Sequence, residues 1–390
     1  KAVLAEIVAR HESLRTGFKE TRGEPVQFIS ENVEVPLSSE DISYLQTQEK
    51  QQKTAAITAQ VFSQPFDLAT PPLIRTVLIK QAEESFLFIY NMHHIITDGW
   101  SMSLLETEFK RLYDTIAQGK NPGLAPLTVQ YKDFTAWQNR RIQEPEFKAK
   151  VHRYWQEKLA DGFPVLKLPY CQGGDREDKA GASFRCVVQR DIKDRLKQMA
   201  QQHNTTLFTI LFSMYNLLLA YLSGQEEIAA IIISAGRPHL ALHSIIGYFI
   251  NPIIMKTRVD LEGDFDALLN HINREVLEAF QYQDYPFEKV TAELNIKPPD
   301  VTTAFNMLNL ENISAGTELD SLESYHNPAA QDVKFDIALY LTEYPNGIEI
   351  RWDYRKTRFK PETIANTAEK YIQLMTEITG AEEDDENEKT

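Results

Sequence analysis

Residues 170–181, YCQGGDREDKAG, carry glycine and charge but no hydrophobic periodicity, and the order of elements before them looks much the same after them. A chain of 390 residues so divided is too long for one small core and fits two lobes of ordinary size. Before the break, Leu4, Ile7 and Val8 recur at helical spacing and predict a helix over 2–11. EPVQFI (24–29), PLIRTVLIK (72–80) and SFLFIYNM (85–92) predict strands. After Gly99, Leu105, Phe109, Leu112, Tyr113 and Ile116 mark one helix face, with Ser103 and Glu106 fitting a capping box. After the break come a strand (183–190), helices at 191–202 and 205–222, the second closed by Gly224, and an apolar strand (228–234). An extended stretch (247–259), a helix (264–281), a hairpin (334–354) turning at Asn346-Gly347 and a last helix (361–379) complete it. Mixed strands and helices in two similar halves predict the α/β class, with mixed sheets of α+β character. The expected division is an N-terminal lobe over 1–170, a C-terminal lobe over 171–379 and an acidic linker or tail over 380–390. No short-period repeat is present.

Composition narrows the class. At 43% apolar and 10% aromatic residues the chain is globular rather than disordered. Its net charge of −15 argues against a general nucleic-acid or anionic-membrane surface. Two cysteines, Cys171 and Cys186, form no disulfide framework and no CxxC, so a reducing cytoplasm is the simplest setting. The opening KAVLAEIVAR shows no signal peptide, and a start at Lys1 inside a helix suggests a fragment of something longer. The most apolar helix, 207–222, contains Ser213 and Asn216 and reads as a core helix rather than a membrane span.

The chemistry concentrates in NMHHIITDGWS, residues 91–101, a strand-to-helix turn. Consecutive strand side chains point to opposite faces, so one of His93 and His94 can face a reaction site while the other packs inside. Gly99 suits a turn that needs positive φ or a close substrate. Asp98, just ahead of a helix, gains from the helix dipole and from an arginine nearby. A metal site wants three or four convergent ligands, and only His94 and Asp98 offer themselves, with nothing marking His239 and His243 as partners. A structural histidine at a strand end is the default unless other motifs support catalysis.

They do. HHIITDG resembles the HHxxxDG motif of condensation domains of nonribosomal peptide synthetases, relatives of the chloramphenicol acetyltransferase fold. RHESLRTGF (10–18), YKDFTAWQ (131–138), IGYFINP (246–252) and QDYPFE (283–288) resemble further motifs of that family, in its order, from residue 4 to about 379. The chain departs from the pattern in three places: the first motif, SxAQxRLW, has no counterpart, PPDVTTAFNMLNL (298–310) lacks the usual Arg and Ser-Arg-Asn run, and Pro252 replaces a usual threonine. DGWSMSLL favours condensation over epimerisation, whose usual continuation resembles DGVSWRIL. A catalytically silent carrier-docking module usually loses a motif histidine, and both are present here.

The resemblance implies two chloramphenicol-acetyltransferase-like lobes in a V with a channel between them. It implies amide bond formation: the amine of an acceptor aminoacyl thioester attacks a donor aminoacyl or peptidyl thioester, and a thiol leaves. The domain itself would bind no cofactor. Its partners would be upstream donor and downstream acceptor carrier domains, bearing the substrates on phosphopantetheine, and an adjacent adenylation domain, with no nucleic acid and no membrane. His94 is the family's counterpart of the central residue, as base, orienter of the amine or oxyanion stabiliser. His93 packs behind it. Asp98 is structural, paired with an arginine for which Arg15 or Arg10 is the candidate, and Gly99 leaves room for the donor arm. Trp100, Ser101, Gly236, Tyr248 and Asn251 are candidates to line the channel.

Overall fold

The computed structural model describes residues 1–121, 123–170, 178–295, 301–309 and 332–380. Two compact units form, Lys1–Asn139 with Arg237–Ile250, and Arg140–Gly236 with the chain from Asn251 onward.

The first unit opens with α1 (Ala2–Arg10), whose Val3, Leu4, Ile7 and Val8 are buried, as their helical spacing predicts. A single 3-10 turn (Glu12–Arg15) leads into the hairpin β1 (Thr16–Thr21) and β2 (Glu24–Ile29). Its two-residue loop, Arg22-Gly23, has positive φ at both positions, the conformation that matches strand twist in tight hairpins. A separate three-stranded sheet joins β3 (Leu37–Asp41), parallel to β4 (Ile74–Lys80), and β5 (Phe86–Met92), antiparallel to β4. α2 (Thr47–Ser63) buries Ile57 and Val61 with Val77, Ile79 and Ile89 from the sheet. α1 and α3 (Gly99–Ala117) share a second cluster with Leu14, Leu73, Ile74, Ile96 and Ile246. A third gathers Phe134 of α4 (Tyr131–Arg141) with Leu242, Ile245 and Phe249.

The second unit is built on a six-stranded sheet in the order β6-β11-β10-β9-β7-β8. These are β6 (Gly181–Gln189), β7 (Glu227–Ser234), β8 (Asn251–Arg258), β9 (Thr303–Asn309), β10 (Ile337–Tyr344) and β11 (Gly347–Arg355). β9 runs parallel to both its neighbours and the other pairs are antiparallel, which makes the sheet mixed. Its helices are α5 (Pro145–Leu159), α6 (Arg190–Gln202), α7 (Leu207–Ser223), α8 (Phe265–Phe280), α9 (Phe287–Glu293) and α10 (Pro361–Thr379). α7 is the core helix that its composition predicts. Thr206 caps it by accepting from the Thr209 N–H, twelve of its seventeen residues are buried, and Gly224 closes it in the left-handed conformation. Rings of Phe212, Phe305, Tyr215, Trp352 and Tyr371 continue one another through the interior. Among the described residues no single helix is long and apolar enough to cross a membrane.

Four sequence expectations shift. The extended stretch 247–259 is strand only from Asn251 to Arg258. The hairpin register pairs Tyr344 with Gly347, so its loop is Pro345-Asn346 rather than Asn346-Gly347. Gly347 is needed for another reason: a Cβ there would strike the backbone oxygen of Val188 on β6. The division at 170 also differs from the compact units. Residues 140–170 belong with the second, because Phe147, Val151, Tyr154 and Trp155 of α5 share one core with Tyr285 and Phe287. Residues 237–250 belong with the first, because their apolar side chains pack on Phe134. Finally, α3 begins at Gly99, so Ser103 and Glu106 lie inside it. Ser103 donates to the Gly99 carbonyl, and Glu106 accepts from the Tyr90 hydroxyl. The stretch 171–177, the tail 381–390 and residues 298–300 and 310 of the late motif lie outside the described residues.

Candidate functional site

β5 ends at Met92, and His93 hands the chain to a 3-10 turn over His94–Ile96. The two histidines therefore part company through a turn, not through strand alternation as the sequence suggests. His93 meets the edge of Phe66 at 6.0 Å between centroids, and its Nδ1 accepts from the Ile95 N–H at 3.1 Å. Burial, and after it the neighbouring His94, pulls its pKa below the usual histidine value.

His94 is exposed, with its ring edge-on to Tyr248 at 5.2 Å. Its Nδ1 lies 2.7 Å from the Thr97 carbonyl oxygen. A carbonyl only accepts, so Nδ1 carries the proton, and the neutral ring presents a lone pair at Nε2.

Behind the turn lies a charged network. Asp98 caps α3 by accepting from the Ser101 N–H at 2.8 Å, as its position ahead of the helix predicts. Its carboxylate also accepts from the Phe249 N–H at 3.0 Å and from Nη2 of Arg237 at 3.1 and 3.3 Å. Both charged side chains are essentially sealed, Arg237 at 1% and Asp98 at 0% exposure. Arg237 further donates to Ser101 Oγ at 2.7 Å and to the Leu242 and Ile245 carbonyls at 2.5 and 2.7 Å, and its guanidinium lies 3.9 Å over the Phe249 ring. Burial lowers the pKa of Arg237, and the charge and hydrogen bonds of Asp98 act against that. Ser101 Oγ donates to the Gly247 carbonyl and accepts from the Gly247 N–H. Trp100 donates from Nε1 to the His243 carbonyl at 3.0 Å. Tyr131 donates its hydroxyl to the Tyr248 carbonyl at 2.5 Å and keeps its proton, because burial, then the charge of Asp98, raises its pKa.

Arg237 thus corrects the expected pairing of Asp98 with Arg15 or Arg10. Arg15 donates to the Val8 and Ser30 carbonyls. Arg10 donates to Glu108 at 2.9 Å and to the Ala125 carbonyl. Glu108 also accepts from His11 Nε2 at 2.7 Å, and His11 Nδ1 accepts in turn from the Ile246 N–H. Arg10, His11 and Ser13 tie α3 and the 237–250 segment to the end of α1, and Arg15 ties α1 to Ser30, so both arginines are committed elsewhere. Gly99 is also corrected in part. Its φ is not among the positive ones, and it opens α3 with helical backbone. Gly236 and Asn251 belong to the second unit. Gly236 has φ +63° and donates its N–H to Ser234 Oγ, while Asn251 Nδ2 donates to the Gln283 and Tyr285 carbonyls. Asp98, Ser101 and Trp100 come together around Arg237, and His94 stands beside Tyr248. Among the described residues no group of three or more His, Cys, Asp or Glu side chains is placed to hold a metal ion.

The condensation-domain family model matches residues 1–389. The chain is 35% identical over 381 residues to tyrocidine synthase 3 of Brevibacillus parabrevis, covering 96% of this chain and 6% of that protein. It is 34% identical over 386 residues to gramicidin S synthase 2 of Aneurinibacillus migulanus, covering 97% and 8%. It therefore spans a small part of the curated relatives it matches. Among solved structures it shares the fold of the first condensation domain of the calcium-dependent antibiotic synthetase, at a TM-score of 0.77 and 15% identity over 97% of this chain and 87% of that one. The epimerization domain from the third module of tyrocidine synthetase B has a TM-score of 0.82 at 16% identity over the same shares. The motif resemblance is borne out along nearly the whole chain: this protein belongs to the condensation-domain family.

Proposed function

We propose that the chain joins a donor aminoacyl or peptidyl thioester to the amine of an acceptor aminoacyl thioester, both presented on the phosphopantetheine of carrier domains, within a cytoplasmic peptide synthetase that also holds an adenylation domain. The observation that carries this reading is the 2.7 Å contact of His94 Nδ1 with the Thr97 carbonyl oxygen, from which the tautomer follows. With Nδ1–H held by the Thr97 carbonyl, the open Nε2 accepts a proton or a hydrogen bond. That suits an imidazole that orients the acceptor amine and takes its proton as the tetrahedral adduct forms. It suits an oxyanion donor poorly, because the neutral ring has no second N–H to give. Holding two tethered reactants together supplies much of the rest of the rate enhancement. Asp98 and Arg237 act here through position: they fix the start of α3, just beyond the His94 turn. Tyr248 and Trp100 are proposed to flank the substrates, with Gly99 beside the donor arm.

Since an epimerisation domain shares the fold, the test must read the bond made. Single-turnover dipeptide formation between two loaded carrier proteins, followed by intact mass, should show product with this chain and a loss of about 10²–10⁴-fold with His94→Ala. Inversion of a carrier-bound residue without a new amide bond would instead support epimerisation. Binding of carriers with neither reaction would support a docking module.

A further inference from the structure

Two histidines stand side by side in the turn, and the reaction proposed above uses one. The geometry gives the other a task. The Ile95 N–H can only donate, so Nδ1 of His93 holds a lone pair, and in the neutral ring the proton sits on Nε2. His93 is therefore the N-cap of the 3-10 turn, an imidazole where Asp, Asn, Ser or Thr usually serves. Within that turn the Ile96 N–H donates to the His93 carbonyl at 3.2 Å, and the Thr97 N–H donates to the His94 carbonyl at 3.3 Å. The Thr97 carbonyl then accepts from His94 Nδ1. The cap, the turn and the orientation of His94 form one chain of hydrogen bonds.

We propose that His93 is a positioning residue: its neutral imidazole caps the turn that aims His94, so that protonation of His93 releases the cap and disables the site. This rests on the reading of His94 as the reactive imidazole. The surroundings of His93 favour its neutral form. Phe66 walls one side of the ring, and the Arg75 guanidinium, from β4, lies 3.9 Å over the Phe66 ring while donating to the Gln64 and Pro65 carbonyls at 2.6 Å each. The titratable neighbour described on the same turn is His94, which disfavours a proton on His93, and the charged Arg75 stands over Phe66 rather than over the His93 ring. Such a proton on Nδ1 would also set a donor against the Ile95 N–H. Because the pKa of His93 is depressed, the cap persists to lower pH than an ordinary histidine would allow, and it fails as pH falls further.

The test is the pH–rate profile of single-turnover condensation, read beside ¹⁵N chemical shifts of the two imidazoles. His93→Ala should lose on the order of tenfold in kcat with little change in KM, the cost of one cap. His93→Asn should recover most of that loss, because its side-chain oxygen accepts from the N–H two residues on without titrating. The acid limb should then fall less steeply than in the parent. Phe66→Ala, which lets water reach His93, should move the lower branch to higher pH. An unchanged slope in His93→Asn, or an undiminished rate in His93→Ala, overturns the proposal. So does a proton found on Nδ1 of His93 at neutral pH, a result that needs no activity. If the imidazole shifts are as expected but the parent chain itself forms no amide bond, the condensation reading fails and the cap stands.

Discussion

Asp98 and Arg237 are two opposite charges placed where water cannot reach them, which is costly unless hydrogen bonds offset the lost hydration; of the guanidinium nitrogens only Nε is left without a partner. The carboxylate accepts from two backbone N–H groups as well as from the guanidinium, and the guanidinium reaches two carbonyls and Ser101 besides. Removing one partner leaves the other charged and sealed. Arg237→Ala should cost about 3–5 kcal/mol, seen as a lowered urea midpoint, whereas Ser101→Ala should cost roughly 1–3 kcal/mol by orphaning the Gly247 N–H. If Arg237→Ala unfolds at the parent's midpoint, the pair contributes nothing to the native state. Half of this arrangement is legible in the sequence. Asp98 reads as a helix cap from its place beside Gly99, because capping is a local effect. Its partner stands 139 positions on, in SAGRPH, and no local rule links them. The clue available is an arginine between Gly236 and Pro238 directly after an apolar strand.

Elements show the same contrast between local and distant causes. β2, α7 and α10 fall where periodicity, Gly224 and Pro361 place them, since each is decided within a few residues. The boundary of α3 does not, because a capping-box pattern at Ser103 competes with the true cap at Asp98. α1 is joined to α3 through Glu108, which burial pushes toward the protonated form while its bond to His11 and then the charge of Arg10 outweigh that and leave its pKa lowered. A carboxylate depressed in the folded state stabilises fully above its unfolded value, near ~4.5, and loses that contribution as pH falls through the folded value. Acid unfolding of the parent should therefore be steeper below about pH 4.5 than that of Glu108→Gln, measured by circular dichroism. The 237–250 segment and α4 meet so closely that a Cβ on Gly247 would stand 2.8 Å from Cγ of Tyr131. Gly247→Ala should destabilise by about 1–3 kcal/mol, with much of the loss absent in a Tyr131→Ala background. Additive losses in that double-mutant cycle would show that the clash relaxes elsewhere.

At the scale of the molecule, the chain leaves its first unit after Asn139, returns to it for Arg237–Ile250 and leaves again. The sequence division at 170 misses this because composition marks where a chain is exposed, not which core a buried segment joins. A fragment ending at residue 139 contains His94 and Asp98 but lacks Arg237, Ile246 and Phe249, which complete the network and two apolar clusters. It should be rapidly proteolysed, and adding residues 237–250 as a peptide should slow the digestion; equal digestion with and without peptide would count against the arrangement. The same threading governs recombination between relatives. A chimera joined near residue 170 takes the His93–Asp98 turn from one parent and the segment that packs on that turn from the other. Chimeras that also graft 237–250 from the turn's own parent keep the two together, so that short exchange is where a hybrid synthetase would gain or lose a working seam.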